Sequence, residues 1–496
     1  MKSTPFSACK VSVVQQELAQ GLATDAQFMQ LAAQISAKPC SAVLLSGGGV
    51  ESGLENRYSM IAWDPFLRFL SKGQSCRLEK AGRVHTLQRD PLQLLDDLCA
   101  HFQPDFPLCM PPFSGGAVGY FAYDLKNVIE KLPTSAVDDL NLPDIYLFWP
   151  RQLLVHDRVR KRLVYLVFQY DRKNVSLPAH PQPVANRAGS LFAGSDSFLA
   201  LDEASFPFTV TPKTVDFRVG DLQSNFAHED YLHAVSRVRH YIREGDVYQV
   251  NLSQRFRLPV AGDPFELWSA LFQLNPTPFY AYIRAGDHQV LSTSMERFLY
   301  RRGDYLETRP IKGTRKRGHT SEEDRLLREE LCRSRKDDAE LSMIVDLLRN
   351  DLGRVCRARS IRVVAHKRLE SYQSVHHLVS IVSGQLRAGV SYGDLLRATF
   401  PGGSITGCPK IRAMEIIDEL EPNVRQIYTG SIGYLGWHDN MDLNIAIRTA
   451  LIKDGVCYYS AGGGIVYDST EEDEYQETLH KARSLFQVID KMGKSV

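Results

Sequence analysis

The sequence predicts an α+β protein built on large antiparallel β-sheets. Residues 147–157 and 162–170 are rich in valine, leucine and aromatic side chains and are separated by a basic turn, which is the pattern of a β-hairpin. Three later stretches also have the character of antiparallel strands, namely residues 430–436, 441–451 and 456–460. Apolar residues at helical spacing predict long helices over 228–244 and 472–492, so both element types are expected.

The other elements follow in chain order. Strands are predicted at residues 41–45, 58–62, 67–70, 115–124, 245–256 (after an initial turn), 280–283, 289–292, 298–301, 305–309 and 361–369. Helices are predicted at residues 28–35, 91–102, 264–274, 321–352 (with a break near Arg335), 392–399 and 410–420, and residues 377–386 are expected to be at least partly helical. Asp230 is expected to cap the helix over 228–244, and Gly245 to end it.

Residues 171–212 are the best candidate for a linker. They contain three prolines followed by alanine, glycine and serine, and they show no apolar periodicity. We therefore expect a β-rich N-terminal region over residues 1–212, ending in this linker, and a second region over residues 213–496.

Composition excludes several classes of protein. The 59 basic and 58 acidic residues give a net charge of +1, which argues against binding to nucleic acid or to an anionic membrane. The nine cysteines form no CxxC pair, so a disulfide framework or a structural zinc site is not expected. No signal peptide and no run of about 18 apolar residues is found, so we expect a cytoplasmic protein with free thiols.

Residues 308–314 place one lysine between a proline and a glycine. Pro310 fixes its own φ, and Gly313 permits a tight turn or a close backbone approach. Lys312, on this predicted turn, is a candidate nucleophile if burial or the basic residues 315–317 lower its pKa. The alternative interpretation is an ordinary basic surface turn.

Two pairs of carboxylates are spaced for a shared face of a helix. Asp337 and Glu340 are three residues apart, as are Glu474 and Glu477, and Lys481 follows four residues later. Carboxylates projected from two helices suit Mg²⁺, which takes one or two of them directly. Glu340 and Glu477 are therefore candidate ligands, with Asp337 and Glu474 as outer supports; solvated helix faces are the alternative.

Two glycine-rich stretches are candidate anion sites. Residues 400–410 resemble a phosphate-binding P-loop, but Cys408 and Pro409 stand where that motif needs Lys and Ser or Thr, so only an anion site at the start of the next helix remains. In residues 460–466, backbone amides after a strand are suited to a carboxylate, with Arg448 as a bidentate partner.

Two further side chains are candidates for proton transfer. His377 is a candidate general acid or base, although a structural histidine is the simpler interpretation. Glu296, sixteen positions before Lys312, is a candidate general acid if burial raises its pKa. Neither a GxSxG nor a GxCxG nucleophile elbow is present, so the sequence offers no esterase serine and no glutaminase thiol.

Taken together, these stretches resemble the chorismate-utilising enzymes. The similarity covers residues 221–492 densely, and a weaker similarity lies at LLSGGG, NRYSMIAWDP and GGAVGYFAYD. The motifs are GDVYQVNLSQRF, RPIKGT, KDDAELSMIVDLLRNDLGRV, SVHHLVS, FPGGSITGCPK, YTGSIGYLG, NIAIRTA, AGGGIVYDS and EYQETLHKA. The resemblance implies two large antiparallel sheets packed face to face, with helices outside.

One residue selects a branch of that family. Lys312 is typical of the aminodeoxychorismate synthases, whereas the anthranilate synthases carry alanine in a PIAGT motif. The resemblance implies amination of chorismate at C4 through a covalent adduct of Lys312, with Mg²⁺ as cofactor. Because no glutaminase elbow is present, we expect a separate glutamine amidotransferase subunit to supply ammonia. Anthranilate synthase component I and a non-catalytic chorismate-binding relative are the alternatives.

The resemblance also implies roles for individual residues. The catalytic set is Lys312, Glu296 and His377; the substrate-binding set is Ser404, Tyr428, Arg448, Gly463, Gly464 and Lys481; the metal set is Glu340 and Glu477 with Asp337 and Glu474 behind them. Met295 departs from the family, which usually has proline before the glutamate. Relatives bind tryptophan near the position matched by Ser46, so a similar regulator is expected there.

Overall fold

A computed structural model describes residues 8–18, 24–47, 57–107, 113–171, 217–372 and 375–495. The predicted linker, apart from Asp171, lies outside the described residues, as do Gly48 and Gly49 of the first glycine cluster. Within the described ranges, no helix has both the length and the apolar character needed to cross a membrane.

The elements alternate between strands and helices along the chain. The strands are β1 (Cys9–Glu17), β2 (Ser41–Leu45), β3 (Tyr58–Lys72), β4 (Ser75–Lys80), β5 (Arg83–Gln88), β6 (Phe102–Pro104), β7 (Gly116–Phe121), β8 (Ile145–Asp157), β9 (Arg162–Tyr170), β10 (Phe217–Val219), β11 (Gln223–Ser224), β12 (Gln249–Ala261), β13 (Tyr280–Arg284), β14 (His288–Ser292), β15 (Arg297–Arg302), β16 (Tyr305–Arg309), β17 (Ile311–Lys316), β18 (Arg362–Ser371), β19 (Val375–Gln385), β20 (Gly407–Cys408), β21 (Ser431–Gly436), β22 (Asn440–Asn444), β23 (Thr449–Lys453), β24 (Val456–Ile465) and β25 (Gly493–Ser495). The helices are α1 (Asp25–Ser36), α2 (Pro91–His101), α3 (Lys126–Ile129), α4 (His228–Arg243), α5 (Pro264–Leu274), α6 (Ser321–Arg333), α7 (Arg335–Gly353), α8 (Tyr392–Thr399), α9 (Lys410–Leu420) and α10 (Glu471–Met492).

Two large sheets share the long strands β3 and β8. Neighbouring strands of the first sheet run β12–β24–β23–β14–β13–β2–β3–β8–β9–β1–β6. Those of the second run β5–β4–β3–β8–β7–β21–β22–β15–β16–β19–β18. All of these pairings are antiparallel except β1 with β6, so the predicted α+β fold with large antiparallel sheets is confirmed.

A bulge explains how one strand serves both sheets. The pairing of β3 with β8 shifts register between Pro65 and Leu67. Residues before the shift pair with β2, and residues after it pair with β4. Bulges bend and twist a strand, which explains why the sequence pattern indicated two separate strands here.

Apolar side chains bury the sheets on both sides. Leu147, Val290, Leu299 and Leu443, contributed by both sheets, lie in one continuous core. On the outer face of the first sheet, helices α1, α5 and α10 bury their apolar faces in a second core that includes Leu291. Because successive residues of a strand point to opposite faces, the adjacent residues Val290 and Leu291 lie in different cores. Strand β14 is therefore buried on both of its faces.

The parts of the chain before and after the predicted linker pair directly with each other. Strand β2 pairs with β13, and β7 pairs with β21 along six residues. The Tyr120 hydroxyl also lies 2.9 Å from Nε2 of His288. The division at residue 212 stays a prediction, but strands from either side of it belong to the same sheets.

Three expectations about local structure are wrong. Residues 377–386, expected to be partly helical, belong to strand β19, which pairs with β16 and β17 on one side and β18 on the other. A strand buried on both faces has no alternation that sequence could reveal. Lys312 lies on strand β17 rather than on a turn. Ala227 is the N-cap of α4, whereas Asp230 lies in its first turn.

The second glycine cluster also differs from the expectation. Gly462 to Gly464 lie inside strand β24 and pair with residues 251–253 of β12, instead of following the strand. Glycine inside a strand often marks a close approach of another group. At Gly463 the close neighbours are Glu474 and Glu477 of helix α10, described below, whereas Gly462 and Gly464 lie close to residues of β12.

Candidate active site

A cavity of about 740 Å³ opens between strands β17, β19 and β24 and helices α7 and α10. It gathers nearly all of the predicted site residues in one place. Those that line it are Glu296, Lys312, Asp337, Glu340, His377, Ser404, Tyr428, Arg448, Gly464, Glu474, Glu477 and Lys481. Gly463 is not among the lining residues, although its neighbours Gly462 and Gly464 are.

A β-bulge sets the position of Lys312. The pairing of β17 with β19 shifts register between Lys312, opposite Leu378, and Thr314, opposite His377. Gly313 between them has φ +75°, which side chains rarely adopt. A Cβ atom there would stand 2.9 Å from Cγ of Asp337, so the glycine also permits close packing of α7.

Ser404 connects the predicted nucleophile with the predicted acid. The Lys312 ammonium donates a hydrogen bond to the Ser404 carbonyl oxygen at 3.3 Å. The Ser404 hydroxyl donates to Oε1 of Glu296 at 2.5 Å. Burial raises the pKa of Glu296 to about 7, although the Ser404 hydrogen bond and the charge of Lys312 oppose that shift. The carboxyl group can therefore carry a proton near neutral pH.

The backbone around Glu296 is well anchored despite Met295. The carbonyl oxygen of Glu296 accepts a hydrogen bond from the Ile445 amide at 3.0 Å. The Ser294 hydroxyl donates to the Ile445 carbonyl at 2.6 Å and accepts from the Glu296 amide at 3.2 Å. These bonds fix the segment that a proline at position 295 would otherwise stiffen.

His377 is buried and uncharged at neutral pH. Its Nδ1 atom lies 2.9 Å from the Thr314 hydroxyl oxygen, and its Nε2 atom is buried with no hydrogen-bond partner among the described residues. Burial, reinforced by the charge of Arg448, lowers the pKa of His377 to about 4. The ring is therefore suited to a neutral hydrogen bond with a ligand, and less suited to storing a proton.

Helices α7 and α10 bring the predicted metal carboxylates to the same cavity. Burial raises the pKa of Glu340. Burial and the neighbouring charge of Glu477 raise the pKa of Glu474 to about 7. Burial acts in the same direction on Glu477, but Lys481, at 2.6 Å, outweighs it and leaves the pKa below its usual value.

These carboxylates fit a Mg²⁺ ion. Oε2 of Glu474 is buried without a hydrogen-bond partner among the described residues. A Cβ atom on Gly463 would stand 2.6 Å from that oxygen and 3.2 Å from Oε1 of Glu477, so the glycine leaves space there. No group of three or more potential metal ligands is found in the described ranges, but Mg²⁺ typically uses only one or two protein carboxylates together with water or substrate oxygens.

Cationic side chains line the cavity beside these carboxylates. The Lys481 ammonium donates to the Gly462 carbonyl oxygen at 2.7 Å. Nη1 of Arg448 donates to the carbonyl oxygen of Lys481, while the Arg448 carbonyl accepts from the Thr293 amide at 2.9 Å. A cavity lined by carboxylates, amines and a guanidinium suits an anionic ligand bound together with a cation.

The lining residues that the sequence did not predict include Lys336, Thr314 and Asn251. Lys336 lies in the first turn of α7, four residues before Glu340, and that spacing was the available signal. Thr314 contacts His377 through a bulge that the sequence does not reveal. Asn251 lines the cavity, and its Oδ1 atom is buried without a partner among the described residues.

Two predicted binding features lie elsewhere. The first turn of α9 is not part of the cavity lining. The Lys410 side chain there donates to Asp351 at 2.7 Å and to the Thr399 carbonyl at 3.0 Å. Ser46 lies at the wall of another cavity, of about 510 Å³, together with Arg317 and Tyr372. Binding of tryptophan near Ser46 stays a prediction.

The fold and the lining of the cavity are those expected of one class of protein, the chorismate-utilising enzymes. In agreement, a family model for chorismate binding enzymes matches residues 50–487. The chain belongs to this family, as the sequence motifs had indicated. It is 41% identical to aminodeoxychorismate synthase component 1 of Klebsiella aerogenes over 90% of this chain and 94% of that protein. It is also 38% identical to anthranilate synthase component 1 of Cereibacter sphaeroides, over 89% of this chain and 87% of that protein.

Solved structures agree with the fold. Anthranilate synthase component I from Streptococcus pneumoniae superposes with a TM-score of 0.71 at 30% identity, covering 88% of this chain and 94% of that one. The menaquinone-specific isochorismate synthase of Escherichia coli superposes with a TM-score of 0.70, covering 98% of this chain and 96% of that one. At 17% sequence identity, this match shows a similarity of fold alone. The prediction of an enzyme of this class is confirmed by its curated relatives.

Proposed function

We propose that this chain aminates chorismate at C4, forming 4-amino-4-deoxychorismate, as the synthase component of a two-subunit enzyme. The observation that carries the proposal is the contact of Ser404 with both Lys312 and Glu296. A lysine amine and a carboxyl group that can hold a proton near neutral pH thus lie in one cavity. These are the two groups that a displacement of a hydroxyl by an amine requires.

The reaction consists of two displacements. In the first, the neutral amine of Lys312 attacks C2 of the ring, the ring double bonds shift, and the C4 hydroxyl leaves as water with a proton from Glu296; the nitrogen of the adduct then returns a proton to Glu296. In the second, ammonia attacks C4, the shift reverses, and the bond between C2 and the lysine nitrogen breaks, with the proton that the new C4 nitrogen loses passing to the departing lysine nitrogen. The enolpyruvyl ether is retained throughout.

The remaining side chains hold the substrate. Arg448, Lys481 and the amides around Gly464 are suited to its carboxylates. The Tyr428 ring and the neutral His377 ring, with its unpartnered Nε2, are suited to orienting the reacting ring. Glu340 and Glu477, supported by Asp337 and Glu474, would hold Mg²⁺, which when bound supplies positive charge for a substrate carboxylate and the departing hydroxyl.

Anthranilate synthesis is the second candidate, since relatives with that name are almost as similar to the chain. Overall sequence identity does not distinguish between the two activities. Lys312, which is typical of the aminodeoxychorismate synthases, favours amination at C4. Relatives of both kinds are named component 1, which supports a separate ammonia-supplying subunit. We expect that subunit to be a glutamine amidotransferase, and both subunits to reside in the cytoplasm.

The product distinguishes the candidates. Purified chain with chorismate, Mg²⁺ and ammonium should form aminodeoxychorismate and no anthranilate, and it should not use glutamine. Anthranilate as the main product would overturn the proposal. Chorismate binding without turnover under any amine supply would instead support a non-catalytic protein.

The nucleophile has its own test. Wild-type chain mixed with chorismate and Mg²⁺ without ammonium should gain, by intact-protein mass spectrometry, the mass of chorismate less one water. Lys312→Ala should fold, bind chorismate and gain no mass. Lys336→Ala removes another amine from the same cavity and should keep the adduct. An undiminished rate in Lys312→Ala would exclude the covalent route.

A further inference from the structure

Arg425 is a buried arginine just behind the cavity wall. Its guanidinium makes two bonds to Glu421, from Nε at 2.9 Å and from Nη2 at 2.7 Å. The same group donates to two backbone carbonyls, that of Ile405 at 3.0 Å and that of Asn251 at 2.6 Å. Neither Arg425 nor Glu421 lines the cavity.

The pair joins three segments that do line it. Ile405 follows Ser404, the residue that contacts both Lys312 and Glu296. Asn251 belongs to β12, where Glu421 also accepts hydrogen bonds from the Ser253 amide at 2.8 Å and hydroxyl at 2.9 Å. The third segment contains Tyr428, whose ring centroid lies 5.8 Å from the guanidinium carbon of Arg425.

Stability alone does not account for this arrangement. Removing an arginine and a glutamate from water carries a large desolvation cost, and well-packed apolar residues are often at least as stabilising as a buried ion pair. A planar guanidinium can, however, donate several hydrogen bonds in fixed directions, which no apolar side chain can do. The hydrogen bonds of Arg425 therefore fix the positions of the backbone at Ile405 and Asn251 relative to each other.

We propose that Arg425 is a positioning residue that holds the Ser404–Ile405 segment at the correct distance from Lys312 and Glu296. The bond from Nη1 to the Ile405 carbonyl anchors the peptide group between Ile405 and Thr406, one residue beyond Ser404. Anchoring the chain there restrains where the Ser404 hydroxyl meets Glu296 and where the Ser404 carbonyl meets Lys312. The catalytic consequence rests on the proposed function, whereas the placement of Ser404 does not.

The test compares Arg425→Lys with Arg301→Lys. Lysine keeps the charge but has three N–H donors on a single nitrogen atom, so it cannot reproduce the two bonds to Glu421 and the two bonds to carbonyls that the planar guanidinium makes. Arg301 is a matched control, because it too is buried and donates to two carbonyls, those of Gly303 at 3.0 Å and Val390 at 3.2 Å, outside the cavity. One readout is the rate with ammonium; another is the infrared titration of the Glu296 carboxyl, assigned as the band lost in Glu296→Gln.

Loss of the Ser404 bond should shift that titration in a defined direction. The bond favours the ionised form of Glu296, so its loss in Arg425→Lys should move the titration midpoint upward. We expect kcat to fall on the order of 10- to 100-fold with a smaller change in the KM for chorismate, as for misplaced reacting groups. Arg301→Lys should lower the melting temperature and leave both readouts unchanged.

The outcomes separate this proposal from the proposed function. A lowered melting temperature with an unshifted Glu296 midpoint in Arg425→Lys would show a purely structural arginine and overturn the proposal. A shifted midpoint in a chain that makes no aminodeoxychorismate would uphold the positioning role and refute only the proposed function. If Arg425→Lys does not fold, Glu421→Gln weakens the same network and should shift the midpoint in the same direction; no shift there overturns the proposal.

Discussion

At the scale of single residues, the burial of Glu296 makes its proton the feature most open to measurement. With a pKa near 7, the group is protonated below neutral pH and ionised above it. If it donates a proton to the leaving hydroxyl, the rate at constant free ammonia should fall as pH rises through about 7. A pH profile of kcat would show this as a basic limb.

Glu296→Gln should remove that limb and slow the reaction about 10²- to 10⁴-fold, the usual contribution of a general acid. Glu307→Gln is the control, since Glu307 is also a buried carboxylate but is paired with Arg297 at 3.0 Å, and its pKa is lowered. It should retain the limb. A Glu296→Gln enzyme with wild-type rate and profile would remove the acid from the mechanism.

Glu474 links pH to stability. Its folded pKa of about 7 lies above the ordinary 4.5, so in this window the folded state binds the proton more tightly than the unfolded state. Stability of the metal-free protein should therefore fall as pH rises from about 4.5 to 7, by on the order of 3 kcal/mol for this group.

Thermal melts at pH 5 and pH 8 without Mg²⁺ would measure the effect. Glu474→Gln should flatten the pH dependence, and Mg²⁺ should raise the melting temperature of the wild type at pH 8 more than that of the variant. Exposed Glu472, on the same helix, provides the control variant Glu472→Gln, which should behave as wild type. Equal slopes for all three proteins would contradict the assignment.

At the scale of elements, the bulge at Gly313 is the feature on which the site depends. Alanine there would take a left-handed conformation, which costs about 1–2 kcal/mol, and its Cβ would also press on Asp337 and Leu331 at 2.9 Å. Gly313→Ala should lose more stability than that, and should also lose activity as Lys312 and Thr314 change register with β19.

Gly303→Ala is a control that separates the conformational cost of an alanine at positive φ from the cost of steric overlap at Gly313. Gly303 has φ +61° and would bring its Cβ within 4 Å of nothing among the described residues. Denaturant melts should give the conformational cost alone for Gly303→Ala, with activity preserved. If Gly313→Ala loses no more stability than this control and keeps its activity, the bulge has no role in placing Lys312.

The elements also show what sequence could and could not predict. Helix α5 was predicted with its observed bounds, and in the structure local features set its start, with Pro264 in its first turn and Asp263 as its N-cap. Strand β19 was not, because burial on both faces removes the alternation. The bond between Ser404 and Glu296 joins residues 108 positions apart, so it depends on tertiary packing that no local sequence pattern reveals. The motifs therefore predicted residues that line one cavity, whereas the unpartnered Oε2 atom of Glu474 and the contacts of Arg425 are visible only in the structure.

At the scale of the whole molecule, the sheets cross the predicted boundary at residue 212. A fragment of residues 213–496 would expose the edges of β13 and β21 that normally pair with β2 and β7. It would also uncover the core that both sheets share, and exposed strand edges promote aggregation.

We therefore expect the isolated fragment to aggregate and to show no cooperative thermal transition. Co-expression with residues 1–212 should restore soluble, active protein, because the strand pairings can form between two chains. Size-exclusion chromatography and calorimetry would measure both. A 213–496 fragment that melts cooperatively and binds chorismate would mean that the C-terminal region folds independently.

The double contact of Ser404 has a consequence for error avoidance. A lysine that attacked chorismate without a proton donor in place would leave the hydroxyl attached and risk a dead-end adduct. Since one residue contacts both the Lys312 amine and the Glu296 carboxyl, any displacement of that residue disturbs both groups together. On the proposed function, Ser404 therefore couples the positions of the nucleophile and the acid, so that the lysine is correctly placed for attack only when the proton donor is also in place.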